Sequence, residues 1–148
     1  MSAYPIWWDD SITLYNRYEN PVTQQITWYR TELGGCFVQS AKTVISGGQI
    51  IYDSDSTLIR IPENENYRSY DEWIAIPNVS QGEYFTLHAG DIIILKSVQD
   101  TISEYTKGQR SSDLIAKYKD LSLCLTISSL QDNTGIGRVC PHYAVRGE

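Results

Sequence analysis

The chain of 148 residues has three cysteines, two histidines and no long apolar run, and each scarcity removes a class of function. Cys36, Cys124 and Cys140 form an odd set without a CxxC pair, which spells out neither a disulfide framework nor a structural zinc site. Cys36 and Cys124 lie inside apolar, strand-like stretches, where buried free thiols are expected. Cys140-Pro141-His142 offers one pair of metal ligands at most. No stretch approaches the roughly 18 apolar residues that a membrane-crossing helix needs. The first residues, Met1-Ser2-Ala3-Tyr4-Pro5, lack the basic region and apolar core of a signal peptide, so the expected setting is a reducing cytoplasm.

Catalytic patterns are equally scarce. His88 and His142 are far apart, and neither belongs to a nucleophile–base pattern such as GxSxG. The carboxylate pairs Asp9-Asp10, Asp53 with Asp55, Glu63 with Glu65, and Asp71-Glu72 read as solvated turns. Asp53-Ser54-Asp55-Ser56 lacks the glycine and distal glutamate of a calcium-binding EF-hand loop. Gly135-Ile136-Gly137-Arg138 lacks the third glycine and following helix of a phosphate-binding turn; Arg138 in such a loop points to a partner instead. The expectation is a protein that is not an enzyme and uses no metal or cofactor.

Basic charge is also in short supply. The formal charge is −6, with 12 acids and 5 bases in residues 1–95 against 6 acids and 7 bases in residues 96–148. An acidic body argues against a dedicated nucleic-acid binder and against adsorption to an anionic membrane. The unevenness allows the basic end of one copy to meet the acidic face of another in a head-to-tail ring.

What the chain does have is β pattern and aromatic surface. Eleven Tyr and four Trp outnumber two Phe, a composition suited to half-buried strands and interfaces. Alternation predicts strands over Ser11–Glu19 and Thr23–Glu32, then a bulge or bend at Leu33-Gly34-Gly35 leading into a third strand. Gly47-Gly48 between Lys42-Thr43-Val44-Ile45 and Gln49-Ile50-Ile51-Tyr52 predicts a hairpin, and Thr57–Pro62 a further strand. Phe85–Leu95, with four consecutive aliphatic residues after Gly90-Asp91, reads as a strand buried on both faces. Val98–Tyr105 is expected to be extended, and strands are expected at Ser122–Leu130 and Pro141–Val145. The single helix expected is Ser111–Leu121, capped by Ser111 or Ser112, with Leu114, Ile115, Tyr118 and Leu121 on one face. The fold class is therefore mainly β: a small β-barrel or sandwich of one domain, with a long inserted loop at about residues 63–82 and one short α-helix.

Ordered excursions of that length inside a compact domain often carry binding function. Interface candidates are Tyr67, Tyr70, Asp71, Glu72 and Trp73 in the loop, and Lys107, Arg110, Arg138 and Arg146 near the helix and the C-terminus, since aromatics and arginines commonly anchor interfaces. Trp7-Trp8 reads either as a stacking platform or as a hydrophobic anchor against the first strand.

Several segments together resemble an uncharacterised family of small proteins of tailed phages and prophages of Firmicutes-type bacteria. They are Trp7–Asn16, Ile26–Arg30, Phe85–Leu87 with Gly90–Ile93, Glu104–Ser111, Gly135–Arg138 and His142-Tyr143. In layout the chain looks like the small barrels of the phage head–tail junction, above all the head-closure or stopper class. The resemblance implies a structural protein of the virion neck, assembled in the host cytoplasm as a ring of its own copies. Its neighbours would be portal or adaptor proteins and tail-terminator or tail-tube proteins, with non-specific proximity to packaged DNA and no membrane. A minor capsid or tail-terminator protein is the alternative within virions. A carbohydrate-binding or decoration module using Trp7, Trp8, Trp73 and the Tyr67/Tyr70 loop is the alternative from another class.

Overall fold

The computed structural model describes residues 4–39, 42–45, 49–52, 57–104, 108–119, 123–135 and 140–147. Its strands are β1 (Asp10–Glu19), β2 (Ile26–Gln39), β3 (Lys42–Ile45), β4 (Gln49–Tyr52), β5 (Thr57–Pro62), β6 (Ile92–Ile94), β7 (Cys124–Asn133) and β8 (His142–Gly147). Six of them close an antiparallel barrel in the order β1-β2-β5-β8-β7-β6, and β3 and β4 pair as a separate two-stranded sheet. The expected mainly β fold is thus a closed barrel, and the strands of the expected hairpin pair in register while its Gly47-Gly48 turn lies outside the described residues.

Alternation builds the barrel. Ile12 and Leu14 of β1 point inward and meet Leu33, Ile59, Ile93 and Val145 in the main core. Their neighbours Thr13 and Tyr15 point outward yet are also fully buried, because a second layer covers that wall. Helix α3 (Ser111–Lys119) supplies it, packing Leu114 and Tyr118 with Val98 over Tyr15, Ile92, Ile94 and Cys124. The triple isoleucine of β6 is therefore buried on both faces, as its unbroken apolar run predicts. Cys36 and Cys124 are buried free thiols, and burial pushes Cys36 up to about 12.

Five expectations change. The bend at Gly34-Gly35 does not end a strand: β2 runs on through it as one strand of 14 residues. Gly35 takes φ 69°, and the register with β1 shifts between Asp10 and Ile12, so the glycine forms a bulge that lets one strand serve two parts of the wall. The Phe85–Leu95 segment is a strand only at Ile92–Ile94, because Gly90 at φ 99° and the Asp91 side chain turn the chain before it can pair. Residues 98–104 form no strand; the carbonyl of Val98 accepts from Arg30 and its N–H donates to Thr13 Oγ1 instead. Finally, α3 is not the single helix. The excursion carries α1 (Tyr70–Ile74) and α2 (Asn78–Gln81). The cap of α3 also differs: Asp113 accepts from the N–H of Arg110, and Glu104 from that of Ser111.

Candidate functional site: a cationic groove on the barrel wall

The register of β5, β8 and β7 sets three rows of outward side chains. Leu58, Arg146 and Ser129 form one row, Arg60, Ala144 and Gln131 the next, and Pro62, His142 and Asn133 the third. The intervening residues Ile59, Ile61, Tyr143 and Val145 face the core. Ala144 stands at the centre of this pattern with only a methyl group, so the longer side chains around it enclose a hollow of about 490 Å³. That volume falls in the range of ordinary ligand sites.

The hollow is cationic in an acidic chain. Arg60 and Arg146 line it, no Asp or Glu does, and neither arginine forms an ion pair among the described residues. Arg60 Nη1 donates to Gln39 Oε1 at 3.3 Å, and its guanidinium lies 5.7 Å from the Phe37 ring centroid. The His142 ring is fixed by two contacts, Nδ1 with the Cys140 carbonyl at 2.8 Å and Nε2 with Asn133 Nδ2 at 3.3 Å. An aromatic border closes one side. Trp8 stacks between Tyr4 and Phe37 and meets His142 edge-on at 5.6 Å, while Tyr4 donates its hydroxyl to the Pro141 carbonyl. Trp8 is thus an anchor; Trp7 beside it is 64% exposed. Chemically the groove can hold carboxylate or phosphate groups between two guanidiniums, with Leu58 and Leu130 offering apolar contact.

The excursion is the second surface of interest. Ser69 caps α1, accepting from the Glu72 N–H at 3.4 Å and donating its hydroxyl to Glu72 Oε1 at 2.8 Å. Asp71 and Glu72 remain exposed on the outer side. Trp73, expected as an interface residue, is fully buried: it wedges edge-on between Tyr18 and Tyr29, at centroid distances of 5.9 and 5.7 Å, and donates Nε1 to the Tyr84 carbonyl. It fastens the excursion to the barrel and has no ring face to offer a sugar. Tyr67 is half-buried against Phe85 and Tyr143, and Tyr70 stacks on His88 at 3.7 Å.

Of the other expected interface residues, Arg146 lies in the groove, Arg110 is exposed at the start of α3, and Lys107 and Arg138 lie outside the described residues. The expected group is not one site. Sequence reasoning missed Arg60, His142 as a wall residue, and Ala144 as the floor. The alternation in His142-Tyr143-Ala144-Val145-Arg146 marks an outward face, but only the strand register brings Arg60 beside it. Among the described residues no group of three or more His, Cys, Asp or Glu is arranged to hold a metal, and no helix is long and apolar enough to cross a membrane.

No curated protein matches the chain, and no solved structure matches it. One family model does match, over residues 7–148, so that groove, barrel and excursion all fall within it. The chain belongs to DUF6751, a family of unknown function.

Proposed function

We propose that this protein is a structural component of a tailed-phage virion, forming a ring at the head–tail junction as a head-closure protein. The observation that carries the proposal is the pair of arginines that form no ion pair among the described residues, in a groove of an acidic barrel and facing away from the core. Such a surface is complementary to acidic surface elsewhere on the same chain, and unlike patches that meet head to tail generate rings when the rotation closes. The sequence resemblance to small neck proteins supports the same reading, as does the long, firmly packed excursion between β5 and β6. A net charge of −6 suits a ring through which DNA slides, because the lumen repels phosphate instead of gripping it.

The test is location and phenotype in a phage that encodes the protein. Cryo-electron microscopy of the virion is expected to show a symmetric ring of this barrel between portal and tail. Deletion of its gene is expected to give heads that lose DNA or fail to join tails. Density on the capsid surface or at the tail tip, or infectious tailed particles without the protein, would reject the proposal.

A further inference from the structure

We infer that the groove on the β5–β8–β7 wall receives the acidic outer side of α1 from a second copy of the chain. This rests on the ring assembly proposed above and names the two surfaces that meet. The groove presents Arg60 and Arg146 with Leu58 and Leu130 beside them. The excursion presents Asp71 and Glu72, with Ile74 39% and Val79 93% exposed on the same short helical turn and the next. Two guanidiniums flanked by leucines thus face two carboxylates flanked by aliphatic residues, and the pairing matches in charge and in apolar surface.

Rigidity favours the same pairing. Trp73 directly follows Asp71-Glu72, and its burial between Tyr18 and Tyr29 fixes the helix that carries them. Little backbone freedom is then lost on docking. The two surfaces belong to different parts of the chain, so each copy gives one and receives one, the heterologous geometry of a ring. DNA is the weaker occupant. A duplex site needs a broad basic footprint, whereas this groove holds two arginines in a chain of net charge −6.

The experiment is sedimentation velocity of the full chain over a concentration series, at low and high salt. Wild type is expected to self-associate, less so at high salt. Arg60→Glu with Arg146→Glu, and separately Asp71→Lys with Glu72→Lys, are each expected to weaken association by about tenfold or more. Mixing the two double variants is expected to restore it, since reversed groove then meets reversed helix and native meets native. Ala144→Trp, which fills the hollow without touching charge, is expected to abolish association while the melting temperature stays near that of wild type. This variant keeps the inference testable should a charge reversal impair folding.

A chain that stays monomeric to its solubility limit, association that survives both reversals, or reversals that are not rescued by mixing would overturn the inference. So would groove-dependent binding of a short DNA duplex without self-association. Failure here is separable from failure of the neck reading. A neck ring whose subunits meet through other surfaces removes this contact alone, whereas self-association by these surfaces in a protein located elsewhere in the particle removes the neck alone.

Discussion

Asp91 concentrates more buried polarity than any other acid described. It is 1% exposed, and its carboxylate accepts from Asn16 Nδ2 at 2.8 Å and from the N–H groups of Arg17 and His88 at 3.0 Å each. Asn16, itself fully buried, ties the same network to Thr86 through its carbonyl and N–H. Burial outweighs these donors and pushes the Asp91 carboxyl up from 3.8 to about 6. Between those values the folded chain holds a proton that the unfolded chain releases. The group's stabilising contribution is therefore complete below the unfolded value and is lost as pH rises through the folded one, on the order of 2–3 kcal/mol in all. Asp91→Asn is expected to flatten this part of the melting-temperature profile between about pH 4 and 7. It also places an amide NH₂ among N–H donors, lowering stability by about 1–3 kcal/mol. Calorimetry across that range checks both effects; an unchanged slope would show that another group titrates.

At the scale of elements, two attachments decide how much surface the barrel can carry. The excursion hangs on Trp73, and Trp73→Ala is expected to cost about 3–5 kcal/mol and to make residues 63–82 the first site of proteolytic cleavage. Helix α3 hangs on Leu114, with Tyr118 donating its hydroxyl to Asp100 at 2.9 Å. Leu114→Ala is expected to cost about 2–5 kcal/mol, with faster amide exchange in α3 than in β7. The sequence made most of these elements legible wherever a pattern was local. Alternation placed β1, the β-branched run stopped by Pro62 placed β5, the glycine pair marked the bulge in β2, and the spacing of Leu114 and Tyr118 marked the buried face of α3. It failed where distant partners decide. Trp73 reads as an exposed loop aromatic because nothing nearby in sequence announces that Tyr18 and Tyr29 will enclose it. Arg60 and Arg146 become neighbours only through the β5–β8 register, and no short-range signal carries that.

For the whole molecule, the barrel is held by seams of unequal length. β1 pairs with β2 over most of its length, and β5 and β7 each pair with β8 along six positions, whereas β1 joins β6 through Thr13, Leu14 and Tyr15 opposite Ile94, Ile93 and Ile92. The β2–β5 and β6–β7 seams are equally short, but chain closure at β1–β6 brings together segments roughly eighty positions apart, and so carries a large loop entropy for few contacts. The expected order of events is a partly formed sheet first and the clasp last, on the native side of the rate-limiting barrier. Ile93→Val is then expected to quicken unfolding while leaving the folding rate nearly unchanged, in stopped-flow measurements over a denaturant series. A slowed folding limb would place the clasp in the nucleus instead. The lifetime of the closed ring of strands, more than its equilibrium stability, is thus written in three isoleucines.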